Sequence, residues 1–198
     1  MTNDPTYTAY AISDRSAELP VSLELTRMHL RNEDLRVDDA LVRALILSAT
    51  QNIEAQYGIA LLEQTVVQTH SAFPASSDTP MLLRIAPLLS VTSIAYIDAA
   101  GATQTWSASQ YTSGRFNNTA FIVPKIGYSW PSGLAKMPNA VTINYDAGYG
   151  TKSENIPEPI KQAILLNVGW LYENREDPTA TLSRASDHLL RPYYRFSL

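Results

Sequence analysis

Two helix-prone blocks, residues 21–58 and 156–177, bracket roughly 100 residues of strand-and-turn sequence, and this arrangement limits the folds open to the chain. Neither block can bury its apolar faces alone. The two are expected to pack together and extrude the middle as an insertion. The fold class that follows is α+β. It has a helical core of two N-terminal helices plus a C-terminal helix, an inserted antiparallel β-rich subdomain, and an extended C-terminal tail. The expected boundaries are an N-terminal arm at 1–20, a helical core at 21–60 and 156–177, a β-rich insertion at 61–155 and a tail at 178–198.

The front block reads as two helices. Ser22 is a natural N-cap for a short helix running to about Leu30, with Glu24 in its first turn. Asp34, Asp38 and Asp39 crowd the start of a longer helix, and Gly58 closes it as the residue just past its end. In that second helix Val42, Leu45, Ile46, Ala49, Ile53 and Tyr57 form one apolar stripe. Arg43, Thr50 and Glu54 are assigned to the wet side. A third face carries Leu41, Ala44, Ser48, Gln51, Asn52 and Ala55, mixed and small. It reads equally as a contact between subunits and as a partly exposed flank.

The rear helix opens with Pro157 and Pro159, which suit a first turn because the missing N–H groups would be unpaired there anyway. Its apolar positions run from Ile160 to Tyr172 and leave only a narrow strip at Gln162, Gly169 and Glu173. A helix apolar nearly all round is buried on most sides. It is therefore either a central core helix or one covered by neighbouring subunits, and Trp170 joins the subunit-interface candidates. Ile164, Val168 and Leu171 are expected to face Leu45, Ala49 and Ile53. Asp177-Pro178 ends the helix, and residues 179–198 lack the periodicity to fold alone.

From Leu61 the hydrophobic period changes to two. Short β-prone runs follow at 65–70, 81–85, 91–97, 103–106, 110–112, 120–123 and 140–145, with prolines at the corners. The loop from Asp98 to Ala102 reads as a hairpin with Gly101 in a left-handed conformation. Strands this short suggest a small antiparallel sheet or partial barrel. Residues 1–20 read as an extended arm with room for a short strand near Tyr10–Ile12.

Only 17% of residues are charged, against about a quarter in typical domains, and there are 11 tyrosines and 12 prolines. That composition fits a surface partly buried against partners. The net charge of −4 offers no bulk attraction to nucleic acid. The absence of cysteine excludes disulfides and thiolate metal sites. The N-terminus lacks a basic segment followed by an apolar one, so no signal peptide is expected there. The apolar runs are too short to span a membrane, which leaves a protein made and kept in a cytoplasm.

No catalytic motif is present, and neither an enzyme activity nor a cofactor is expected. His29, His70 and His188 have no partner at metal-ligand spacing. Gly148-Tyr-Gly150-Thr-Lys152 lacks the glycine spacing of a phosphate loop and reads as a turn. Trp106, Tyr111, Trp130 and Tyr149 support an alternative function, a β module binding a small molecule or carbohydrate, although such rings more commonly fill cores and corners. Tyr193, Tyr194 and Phe196 with Arg191 and Arg195 could stack on single-stranded nucleic acid, but a short tail without a basic surface argues against it.

The segments VSLELTRMHLR, DDALVRALILSATQNIEAQYGIALLEQT, LLSVTSIAYIDAAGATQTW, IGYSWP, NAVTINYDAGYG and IPEPIKQAILLNVGWLYENRED, in this order, resemble the head–tail connector (adaptor, head-completion) proteins of long-tailed bacteriophages and prophages. Leu25-Thr26-Arg27 departs from the small and basic residues usual in that family. The resemblance implies a structural virion protein of the neck. Copies of it form a ring, usually dodecameric, that docks on the portal protein after DNA packaging. The ring extends the DNA channel and gives the next neck or tail-completion protein a platform. Double-stranded DNA passes through the lumen without specific binding, in keeping with a mildly acidic chain. By position, the C-terminal segment would reach the portal, which makes Arg191, Tyr193, Tyr194, Arg195, Phe196 and Leu198 candidate docking residues.

Overall fold

The computed structural model describes residues 7–31, 39–116, 118–174 and 184–194. They fall into two units: one takes the described residues up to Ser16 together with Glu63–Gly148, the other the described parts of Ala17–Leu62 and Tyr149–Tyr194. The chain is of mixed α and β class, with the helices in the second unit and antiparallel sheets in the first.

In the helical unit, α1 (Leu23–His29) starts where the Ser22 hydroxyl accepts the Leu25 amide at 3.1 Å. Arg27 pairs with Asp39 at the head of α2 (Asp39–Tyr57). Gly58 follows α2 with a φ of +65°, and its amide reaches the Glu54 carbonyl at 2.9 Å, the left-handed ending expected of a glycine there. Asp34 and Asp38 lie outside the described residues.

The wet side assigned to α2 is corrected at two of its three positions. Arg43 is exposed, but Thr50 and Glu54 are buried. Both fall four residues after a buried neighbour, so the helical repeat carries them inward. Each finds a partner there. Thr50 returns its hydroxyl proton to the Ile46 carbonyl at 2.7 Å, and the Glu54 carboxylate accepts the Leu61 amide at 3.0 Å, holding the turn that leaves the helix.

Helix α3 (Glu158–Glu173) begins after Pro157 and carries Pro159 in its first turn. It ends earlier than Asp177. Asn174 caps it, with both its backbone and side-chain N–H groups donating to the Trp170 carbonyl. Ile160, Ala163, Ile164 and Val168 of α3 are fully buried in one cluster with Val42, Ile46, Ala49 and Ile53 of α2. Leu45 and Leu171 pack against the same cluster while partly buried.

The extended C-terminal tail is a second correction. Residues 184–190 form a helix, α4 (Arg184–Leu190), and a 3-10 turn follows at Arg191–Tyr193. The reason is legible after the fact: Ser186 and Leu190 are one helical turn apart and both buried, with Leu189 and Tyr193 packed beside them. A seven-residue helix is not stable alone, and here the helical core supplies the apolar surface it needs.

The strand expected near Tyr10–Ile12 of the N-terminal arm is present and longer than read from the sequence. The described part of the arm contains a nine-residue strand, β1 (Tyr7–Arg15), paired antiparallel along the whole of β2 (Gln64–His70). Residues beyond it, Leu19 to Val21, pack into the helical cluster instead. The remaining strands are β3 (Met81–Leu83), β4 (Leu88–Ile97), β5 (Thr103–Trp106), β6 (Tyr111–Phe116), β7 (Thr119–Pro124) and β8 (Val141–Ala147). They make a five-stranded sheet in the order β1-β2-β8-β4-β5 and a three-stranded sheet in the order β3-β7-β6.

Strict alternation fixes the register. Val141, Ile143, Tyr145 and Ala147 of β8 point to the buried side beside Gln64, Val66, Gln68 and His70 of β2. Two buried polar side chains in that face carry structure. Gln68 donates to the Leu82 carbonyl at 2.9 Å and accepts the Arg84 amide at 2.7 Å, so one side chain clamps the segment after β3. The Tyr145 hydroxyl accepts the Ile85 amide at 3.0 Å and lies 3.3 Å from the same Gln68 oxygen. Asp98 closes the β4–β5 hairpin: its carboxylate accepts the Ala100 and Ala102 amides and the Gln104 side chain, with Gly101 at φ +84°.

Candidate assembly surfaces

Among the described residues no group of His, Asp and Glu could hold a metal ion, and no helix is long and apolar enough to cross a membrane. The three histidines stay apart: His70 is buried against Gln68 at 2.7 Å, His29 lies beside Gly169, and His188 is exposed. The Asp146 carboxylate accepts the hydroxyls of Thr65, Ser90 and Thr92 across three strands, so it serves the sheet rather than a substrate.

The rings considered as a sugar platform turn inward. Trp106 and Trp130 stand 5.1 Å apart, Tyr111 is 5.0 Å from Trp106, and Phe73 stacks on Trp130 at 5.3 Å. All four are buried, and the Trp130 indole N–H is spent on the Ser76 carbonyl. Edge and stacked pairs of this kind are a core, with no open face for a pyranose. Tyr149 belongs to the other unit and packs, partly buried, on the helical cluster.

What the surface does offer is uncharged area. On α2 the small-residue face places Ala44, Ser48, Gln51, Asn52 and Ala55 in solvent, with Leu41 half-buried and Leu47 exposed beside them. The one charged residue from Ala44 to Gln56 is Glu54, and it is buried. An exposed helix face without charge over three turns is unusual for solvent and suited to close packing. Trp170, the remaining interface candidate, is half-buried on a different helix, α3.

The C-terminal candidates divide. Tyr193 packs on the helical cluster, while Arg191 and Tyr194 are exposed. Tyr194 meets Tyr57 edge-on at 6.0 Å. Arg195, Phe196 and Leu198 lie outside the described residues.

Two further apolar patches escaped the sequence reading. On α1, Leu25 and Met28 are exposed next to Glu24. In the β unit, Ile126 is wholly exposed at the apex of a turn, with Tyr128 beside it, and Phe116 stands out at the end of β6. The turn is rigid. Tyr128 donates its amide to the Lys125 carbonyl at 2.9 Å, Gly127 has φ +85°, and the Lys125 ammonium is anchored on the Ala108 and Ser109 carbonyls. No local signal marks these residues, because the exposure of a single apolar side chain depends on the finished surface around it.

No protein-family model and no curated protein matches the chain. Solved structures do. A chain described as "Virion of native gene transfer agent (GTA) particle" superimposes with a TM-score of 0.79 at 22% identity, covering 96% of both chains. A chain of "Neck of empty GTA particle computed with C6 symmetry" gives 0.76 at 22% identity, covering 96% of this chain and 97% of that one. A third, from "Neck of native GTA particle computed with C12 symmetry", gives 0.72 at 23% with the same coverage. At these identities the likeness establishes a shared fold over nearly the full length.

Proposed function

We propose that the chain is a structural neck protein of a phage-like particle, one copy in a ring that sits on the portal and surrounds the DNA channel. The observation that carries this reading is the fold likeness at TM-score 0.79 over 96% of both chains, a match of the whole architecture rather than of one unit. The symmetric necks from which two of the similar chains come support a ring of copies. The uncharged outer face of α2 supplies a surface such a ring can bury, with Ala44, Ser48, Gln51, Asn52 and Ala55 allowing close approach.

In this reading the ring docks after packaging and offers the next neck or tail component its platform. The chain's net charge of −4 keeps the lumen from gripping the phosphate backbone. The docking element is narrower than the whole of residues 178–198. Arg191 and Tyr194, exposed beside a helix that is already folded, together with Arg195, Phe196 and Leu198, make the portal contact. Arginine and tyrosine anchor interfaces because they bury much area at small entropic cost.

The test is genetic and structural. Particles assembled without this chain accumulate as DNA-filled heads that never join tails, and supplying the protein restores joining. Deletion particles that are complete and infectious contradict the reading. Truncation after Tyr194 leaves the fold intact and abolishes portal binding; unchanged binding moves the docking site onto the helices.

A further inference from the structure

We propose that the outer side of α4 is an electrostatic docking stripe, formed by Arg184, His188 and Arg191 and continued by Tyr194, and that the portal surface it meets is acidic. The proposal rests on the docking reading. It adds Arg184 and His188 to the contact and names the chemical class of the surface opposite. Arg184, His188 and Arg191 stand at i, i+4 and i+7 of α4 and the turn that follows, so they share one helix face over about 10 Å. All three are exposed, as is Tyr194 just beyond them. Ser186 and Leu190 take the opposite face and are buried.

The stripe carries no acid. Asp187 is the one carboxylate among residues 184–194, and it is half-buried on the side turned to α2, where it accepts the Tyr57 phenol at 3.1 Å. Among the described residues, none of the three basic side chains is held in an ion pair. In a chain of net charge −4, this helix sends its one acid inward and its bases outward. Exposed guanidinium groups beside a tyrosine have the composition of interface anchors, and a guanidinium fork matches a carboxylate through two parallel hydrogen bonds. Charge complementarity therefore selects aspartates and glutamates on the partner. Duplex DNA fits less well. A phosphate-binding surface makes roughly 6–10 contacts, whereas each copy offers two guanidinium groups and one imidazole here. The exposed Pro192 and the Tyr194 ring beside them suit a protein surface.

Full-length protein and portal rings from its own particle test this, with binding read by biolayer interferometry. Arg184→Glu reverses the charge at the head of the stripe. The position is exposed and a glutamate suits the first turn of a helix, so the fold is expected to survive, and circular dichroism checks it. Portal binding falls at least tenfold. Lys136→Glu, the same reversal at an exposed position of the β unit, leaves binding within twofold of wild type. Arg184→Lys keeps the charge and supplies a primary amine, which a carbodiimide joins to a neighbouring carboxylate; mass spectrometry finds that cross-link on an aspartate or glutamate of the portal. Undiminished binding by Arg184→Glu, or Arg184→Lys that binds without cross-linking, overturns the proposal and leaves docking to Tyr194 and the residues after it. A duplex DNA probe that wild type binds and Arg184→Glu does not also overturns it, in favour of a nucleic-acid contact. Wild type that binds no portal ring removes the docking reading and the proposal with it.

Discussion

The phenol of Tyr57 donates a hydrogen bond to Asp187 Oδ1 at 3.1 Å, joining the last residue of α2 to α4. This bond and the burial of Leu190 hold the C-terminal segment on the helical unit. Tyr57→Phe keeps the ring and removes only the bond, which is partly solvated. The expected loss is about 1–2 kcal/mol, measured as a shift in urea midpoint at constant slope. Faster proteolysis confined to residues near α4 would accompany it.

The same phenol makes stability fall at high pH. Burial, then the hydrogen bond and charge of Asp187, push the Tyr57 pKa from 10.0 up to about 12, with Arg191 opposing. The folded state therefore holds its proton where the unfolded chain has released it. The contribution is complete below pH 10 and is lost as pH rises through about 12. Melting temperature should drop as pH rises from 10.0 toward about 12, and Tyr57→Phe should flatten that drop. An equal slope in the variant assigns the effect to other groups.

Gln68 is the side chain whose loss the β unit should feel most. Its amide is the partner of the Leu82 carbonyl and the Arg84 amide, in a site it shares with Tyr145 and His70. Gln68→Leu conserves much of the volume and withdraws those bonds, at an expected cost of about 2–3 kcal/mol. A change below half a kcal/mol, by denaturant melts, would mean that the clamp is idle.

Truncations along α3 should grade with burial. Ile164 is fully buried, and Ile164→Ala should cost about 2–5 kcal/mol; Leu171 is only partly buried, and Leu171→Ala should cost about half as much. Equal losses would place Leu171 deeper than the structure has it.

Much of this fold could be read from residues. Ser22 as a cap, Gly58 as a helix stop, the Asp98–Gly101 turn and the stripe from Val42 to Tyr57 are local signals, and each acts through its own neighbours. The misreadings share one cause. Thr50 and Glu54 look like surface residues by type, and only their partners, the Ile46 carbonyl and the Leu61 amide, make burial tolerable. Residues 184–190 are too short a helix to announce themselves, and the full length of β1 is set by β2, some fifty positions away. Of the candidate assembly residues, the uncharged α2 face was legible because it is periodic. Ile126 and Met28 were not, since exposure of an apolar residue is a property of the finished surface.

The central claim is a ring on the portal, and its most direct measurement is cryo-electron microscopy of this chain bound to portal rings from its own particle, reconstructed without imposed symmetry. The account predicts a closed, coaxial dodecameric ring, with α2's uncharged face buried between neighbours and density from Arg191 onward reaching the portal. A portal left bare at saturating protein, or decorated by scattered monomers with that face still in solvent, would contradict it.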